Sequence, residues 1–362
     1  KDGKDVGVLM GCPGTTRRLT LATIPVRGLI ATPTIMYAVA GNKFYSVTTG
    51  WVATERGTLN GATGRVSMAY NGTQIMIVDG ADGYTYTVST TTFAEITDVD
   101  FPAAGGDTVV FLDTYFIINV VGTGRFMISA ANDGTAWDAL DFKTAEGAPD
   151  NLVAVATNHR QLYTFGANST EVWINTGDSD FPFERVGNTF IEQGCVAKFS
   201  IAKMDNSVYW VGQNEQGQGV VWKLTGYTPT RVSTHSIENR ISTATDMTDI
   251  VGFAYQQEGH TFYMITSTSG DWTLCYDVAS GLWHERAFLN TSSGVFERHR
   301  ADNYCFFNNK HVIGDYVTGE IYTFELDVYA DDGDPLRWLR TWRALPPGQN
   351  SLVGVTFDRL QI

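Results

Sequence analysis

Apolar side chains recur along this chain in pairs of short runs separated by a turn, and the pair itself recurs seven times. The hairpin cores are residues 34–47 (TIMYAVAGNKFYSV), 73–88 (TQIMIVDGADGYTYTV), 114–130 (TYFIINVVGTGRFMISA), 160–175 (RQLYTFGANSTEVWIN), 206–224 (NSVYWVGQNEQGQGVVWKL), 260–277 (HTFYMITSTSGDWTLCYD) and 309–324 (NKHVIGDYVTGEIYTF). Successive copies start roughly 40–55 residues apart, the spacing of four-stranded propeller blades. A blade cannot bury both of its faces alone. Stacking blades around an axis supplies the missing core, so the repeat predicts the architecture of most of the chain.

Each unit reads as four strands, a to d. Strand a precedes the hairpin, at 19–30, 65–71, 107–113, 151–159, 196–204, 248–257 and 302–308. Strands b and c form the hairpin, and their turns carry Gly41-Asn42, Gly80 with Asp82-Gly83, Gly122 with Gly124, Gly166 with Asn168, Gly217 with Gly219, Gly270 and Gly319. Such residues tolerate the positive φ that tight hairpin turns require. Strand d opens at Trp51, Phe93, Trp137, Phe183 and Trp283, is weaker at 228–232, and is not evident in the seventh unit. The one helical signal is 236–242 (SIENRIS), with Ser236 as its cap.

The pattern predicts an all-β chain: a β-propeller of four-stranded blades, seven with six as the alternative, plus part of a second, mostly β domain formed by the termini. The division is 1–18, an N-terminal strand segment that closes the ring or joins the second domain; 19–328, the propeller; and 329–362, the start of a platform-type domain left incomplete. The non-Met start and the strand-like end (VGVTFDRLQI) read as a segment of a longer polypeptide.

The chain has 362 residues, 43% of them hydrophobic, enough for a large core, and its net charge is −14 with a pI near 4.8. An acidic surface disfavours tight binding to phosphate backbones, and Arg298-His299-Arg300 and Arg17-Arg18 are too short to grip a duplex. No apolar run approaches the ~18 residues of a membrane span. Cys12, Cys195, Cys275 and Cys305 have no metal-ligand spacing and read as buried free thiols.

Propellers host hydrolases, and a catalytic propeller would carry recognisable acid, metal or nucleophile patterns. Residues 129–137 (SAANDGTAW) resemble the Asp-box turn of sialidases, which stabilises a turn without catalysing. Glu146, Asp150, Glu171 and Glu258 are the acids a glycosidase would draw on, but nothing in the sequence pairs them at the required distance. Two acidic turns, 79–83 and 330–334, could offer oxygens to calcium, yet neither has the EF-hand series. The six histidines lack zinc spacing, and no nucleophile elbow, Walker or dinucleotide glycine pattern is present. The reading assigns no catalytic, cofactor or metal residue and no cofactor. Its runner-up is a propeller hydrolase of bacterial surface polysaccharide; a third is a monomeric propeller that displays a protein-binding face.

The order of segments carries a resemblance. Pro13-Gly14-Thr15-Thr16-Arg17-Arg18, Arg27-Gly28, Gly64-Arg65-Val66-Ser67-Met68-Ala69, residues 143–156 (KTAEGAPDNLVAVA), Phe165-Gly166, Ser169-Thr170-Glu171, Thr176-Gly177 and Ser236-Ile237-Glu238-Asn239 together resemble the packaged-DNA-stabilisation proteins of short-tailed phages, the podoviruses. The resemblance spans nearly the whole chain as a distributed pattern. It implies a non-enzymatic virion protein, a tail hub or nozzle that forms a homo-oligomeric ring, by the family a hexamer. Such a ring extends the DNA channel below the portal and adaptor and helps retain packaged DNA. Its implied partners are the portal-adaptor, tailspike or fibre, and tail needle or tip proteins. Double-stranded DNA would pass transiently without tight binding. No membrane insertion is implied, and the virion tail is the location after synthesis in the host bacterial cytoplasm. Against the family pattern, the chain lacks the extreme N-terminus and the final C-terminal strands. Acidic duct walls would let a duplex slide. Trp338, Arg340, Trp342 and Arg343 combine the aromatic and Arg character enriched at binding hot spots and are the interface candidates.

Overall fold

The computed structural model describes residues 11–187, 189–213 and 216–339, so Arg340, Trp342 and Arg343 lie outside the described residues. Seven antiparallel sheets succeed one another as the blades of a β-propeller. Their innermost strands are Val26–Ala31, Ser67–Tyr70, Gly106–Leu112, Leu152–Asn158, Ala202–Met204, Val251–Gln257 and Ala301–Phe307 in blades 1 to 7. The alternative of six blades is thereby set aside.

Strands b and c are covered on both sides, and the sequence alternates accordingly. In blade 2, Ile75 and Ile77 pack with Tyr37 and Phe44 of blade 1, while Met76 and Val78 pack with Val109 and Phe116 of blade 3. All four aliphatic side chains are fully buried. The same arrangement continues around the ring through seven inter-blade clusters, the last joining Val312 and Ile321 of blade 7 to Met36 and Val47 of blade 1. Burying such side chains contributes about 1.5–3 kcal/mol each. Polar ties along the inner strands add register. The Ser67 hydroxyl accepts from Val109 N at 3.0 Å, the Thr108 hydroxyl from Val155 N at 2.8 Å, and the Asn303 amide donates to the Val26 carbonyl at 2.8 Å.

The missing strand d of blade 7 comes from the other end of the chain. Gly14–Thr20 pairs antiparallel with Glu320–Glu325. Leu19 and Thr20 therefore belong to the closure and not to blade 1. Of the two roles expected for residues 1–18, the part described here closes the ring. Charge complementarity fixes the register. Glu325 takes Arg18, Lys310 at 2.7 Å and the Thr16 hydroxyl at 3.0 Å, while Arg17 meets Glu320 at 2.7 Å. Burial pushes the Glu325 carboxyl up, but its bonds from Lys310 and Thr16 and the charge of Arg18 outweigh that and hold it below the usual range. Gly14 is required by close approach, since a Cβ there would fall on the carbonyl oxygens of Val328 and Ala330.

Several details differ from the sequence expectation for physical reasons. Trp51 does not open strand d of blade 1, which is Ala53–Thr58. It sits at φ 62° in the preceding turn and meets the Phe307 ring of blade 7 edge-on at 6.1 Å. Positive φ occurs in the b–c turns at Gly41, Gly80, Gly122 and Gly217, but paired positive φ appears in the a–b turns, at Asp113-Thr114, His159-Arg160, Asp205-Asn206 and Asn308-Asn309. These two-residue links match the twist of their strands. Blade 6 carries a fifth strand, Val295–Arg298, paired with the extended end of Leu282–Asn290. The helix is His235–Ile241 with Thr234 at its N-cap, so Ser236 lies inside it.

Arg27-Gly28, one of the segments behind the resemblance, is structural. The buried guanidinium donates to the carbonyls of Gly64, Gly41, Gly61 and Thr63 at 2.5–2.8 Å, which pins the link between blades 1 and 2. A Cβ on Gly28 would meet Val66 and Met68 of blade 2.

Removing residues 14–20 is expected to abolish the single cooperative thermal transition, because it exposes the edge of Glu320–Glu325 and uncouples blade 7 from blade 1. A truncated chain that melts as the intact one does would contradict this role.

Candidate functional site

Three places concentrate chemistry: the axis, the closure seam and the cleft between blades 6 and 7.

At the axis, on the face where the inner strands begin, charged side chains from non-adjacent blades meet. Arg65 of blade 2 pairs with Asp302 of blade 7 at 3.0 Å and lies over the Phe199 ring, at the entry to blade 5, at 5.3 Å. Lys198 beside that ring pairs with Asp107 of blade 3. Arg298 stands 3.9 Å from Asp302 and stacks on Tyr316 at 3.4 Å. Blades 2 and 5 face each other across a seven-membered ring, so these side chains bridge the axis at that face. The sequence offered a signal that went unread: a charged residue next to the start of four inner strands.

The seam brings residues near 11–15 against residues 328–338. The Trp338 ring fills the space a Cβ on Gly11 would need and stands 6.3 Å from the Tyr329 ring. Tyr329, Trp338 and Leu339 are 68%, 57% and 79% exposed, an apolar corner on an otherwise acidic molecule. Trp338 is thus on the surface. Above the corner, Asp331 bridges to Thr15, accepting its hydroxyl at 3.2 Å, and lines a cavity of about 170 Å³ with Glu320, Asp332 and Asp334. Burial pushes the Asp331 carboxyl up to about 6; the Thr15 hydrogen bond opposes this and the Asp334 charge adds to it.

The cleft, about 920 Å³, opens on the opposite face from the axial lock. Tyr304, Phe306 and His311 of blade 7 face Tyr255 and Glu258 of blade 6 across it, with Lys203 of blade 5 at one end. Beneath, the buried Arg286 bonds the Tyr255 hydroxyl and lies over the Tyr255 and Phe262 rings at 5.4 and 5.1 Å.

Among the acids considered for glycoside chemistry, Glu171 and Asp150 serve loop amides of blade 4 and Glu258 stands apart from them. Glu171 is buried and holds Gly147 N at 2.6 Å and Arg185 at 3.2 Å. Asp150 caps Asn168 N at 2.6 Å on that same side of blade 4, whereas Glu258 stands in an a–b turn on the other face. Asp79 spends one oxygen on the amides of Ala81 and Asp82. In the segment resembling an Asp-box, Asp133 accepts from the Thr135 amide and hydroxyl, and Trp137 donates to the Gly134 carbonyl at 3.0 Å, so the motif holds a turn. His299 is buried and accepts the Ala301 amide at Nδ1, and burial pulls its pKa down to about 3. Cys195, Cys275 and Cys305 are buried free thiols, whereas Cys12 is partly exposed.

Two predictions follow from this geometry. A double-mutant cycle on Arg65→Met and Asp302→Asn is expected to give a coupling of about 1–3 kcal/mol in chemical denaturation, whereas additive single effects would mean the axial pair is not engaged. For Asp331 the sign runs toward lower stability with rising pH. An unfolded aspartate titrates near ~3.9, so between there and 6 the folded chain holds the extra proton and loses about 3 kcal/mol as the pH climbs. Asp331→Asn should therefore be more stable than the parent near neutral pH and indistinguishable from it below about pH 4. Equal stability at both pH values would refute the assignment.

Comparison with known proteins agrees with this architecture. The WD40 β-propeller domain of Doa1 is 11% identical, with 86% of this chain and 97% of that one covered at a TM-score of 0.53. The Neurospora crassa Pan2 WD40 domain is 7% identical, with coverage of 90% and 99% at a TM-score of 0.57. At these identities the likeness is one of fold alone. No curated protein sequence matches the chain. The family model described as bacteriophage P22 Gp10, beta-propeller, matches residues 2–329. That match spans the closure strand, all seven blades and the residues that lock the axis, and the chain belongs to this family of structural phage tail-hub, DNA-stabilisation proteins.

Proposed function

We propose that this chain is the hub or nozzle subunit of a short phage tail. It forms a homo-oligomeric ring below the portal and adaptor, hexameric by resemblance, which extends the DNA channel and helps retain the packaged genome. Tailspikes or fibres and a needle or tip protein attach to it. The observation that carries the reading is the family match over residues 2–329.

Two physical features support it. Side chains of non-adjacent blades, Arg65 with Asp302 and Phe199 and Lys198 with Asp107, meet across the axis of the propeller instead of leaving it lined for a duplex. A DNA duct must then be enclosed by several copies side by side. The net charge of −14 suits such a wall, because acidic surfaces repel phosphates and let the duplex slide. Of the carboxylates considered for glycan hydrolysis, Glu171 and Asp150 hold loop amides on one side of blade 4 and Glu258 stands on the other face, and no observation favours the hydrolase.

Imaging of intact virion tails is expected to place this chain in a ring coaxial with the portal, with duplex density inside the ring and none along a propeller axis. A position at a fibre tip, or a single copy off the tail axis, would overturn the proposal.

A further inference from the structure

The cleft between blades 6 and 7 holds charges and donors that the hub reading does not use. Arg286 lies under its floor and is only 6% exposed. The guanidinium donates to the Tyr255 hydroxyl, to His284 Nε2 at 3.1 Å and towards the Met264 sulfur at 3.9 Å, and no carboxylate pairs with it among the described residues. A cation taken out of water without a counter-charge is unfavourable, and the ring faces of Tyr255 and Phe262 offset only part of that. Tyr255, which lines the cleft, accepts from Arg286; its own proton remains to be donated, and no acceptor for it lies among the described residues. The Tyr304 hydroxyl stands 3.0 Å from His311 Nδ1. Burial raises the Tyr304 pKa and lowers that of His311, so at neutral pH the phenol keeps its proton and the imidazole is uncharged. Tyr304 therefore donates to Nδ1, which puts the imidazole proton on Nε2. That N–H has no partner among the described residues, and His311 lines the cleft. Lys310, also in the lining, shares the Glu325 carboxylate with Arg18, so those three groups keep one positive charge. Phe306, 55% exposed, stands beside His311 with ring centroids 5.3 Å apart and offers an apolar face. The acids Glu258 and Asp327 occupy exposed positions of the lining.

We infer that this cleft binds a carboxylate carried next to an apolar group. The carboxylate accepts from Tyr255 and from His311 Nε2 and answers the buried charge of Arg286, while its apolar neighbour covers Phe306. A cleft of about 920 Å³ with aromatic walls and a few convergent donors is of the size and kind that holds small ligands. A carboxylate suits it better than a phosphate. Two donors match two planar oxygens, and the one uncompensated cation beneath the floor is matched by one negative charge. A dianion, or a polyanionic duplex, would also meet Glu258 and Asp327. The inference goes beyond the hub reading and does not rest on it, since it needs no second copy of the chain.

The test titrates the full-length protein with phenylacetate, phenylacetamide and benzylphosphonate, followed by ligand-observed NMR. A peptide ending in phenylalanine, as the free acid and as the C-terminal amide, is titrated alongside. Saturable binding of phenylacetate, of the peptide acid or of both is expected, at least about ten-fold tighter than the matching amide. Binding of phenylacetate alone identifies a small acid as the ligand, and binding of the peptide acid alone identifies a polypeptide terminus. His311→Phe keeps a ring and removes the donor, and Phe306→Ser alters only an exposed side chain; each should weaken the acid at least about five-fold. Arg286→Met should abolish the preference for acid over amide, and Phe306→Ser keeps the test decisive if that buried change unfolds the blade. Equal affinity for acid and amide, tighter binding of the phosphonate, or no binding of either acid up to about 10 mM would overturn the inference. None of these outcomes bears on the hub reading, which images of the tail decide.

Discussion

The structure depends on one constraint: every blade is apolar on both faces and can satisfy itself only by lying between two others. Tyr37, Phe44, Tyr84 and Tyr86 between blades 1 and 2 have their counterparts between every other pair, down to Phe307, Val312 and Met36 at the seam. Because the demand is cyclic, a chain with one open gap would leave two apolar faces in water. Ring closure is therefore a condition of folding, and the strand Gly14–Thr20 carries more of the architecture than its length suggests.

Closure by an N-terminal strand has a second consequence. It places Gly11 against the Trp338 ring, so the first and last stretches of the described residues meet beside blade 7. The axis itself is occupied by ion pairs and a phenylalanine drawn from blades 2, 3, 5 and 7.

Much of the fold was legible in the chain. The hairpin period, the turn residues and the large side chains at 93, 137, 183 and 283 mark strands that the structure contains, because a blade's own meander is local and its hydrogen bonds run between sequence neighbours. The errors were at element edges. Trp51 looked like the opening of a strand and is a wedge against blade 7, since the demand it answers is made by residues more than two hundred and fifty positions away. The fifth strand of blade 6 escaped notice because VFER has no alternation strong enough to stand out from a turn.

By itself the sequence determined the all-β class, the repeat and the kinship, since each is written in local pattern or in segment order. Among the four interface candidates only Trp338 falls within the described residues, and its exposure beside Tyr329 could not be read from composition. The tertiary structure alone decided that the ring has seven blades, that residues 14–20 complete the last one, and which charges meet. Arg65 with Asp302 and Lys198 with Asp107 come together only when distant blades are brought around the ring. A pattern of neighbours along a chain says nothing about partners across a circle; those are set by the angle each blade turns from the last.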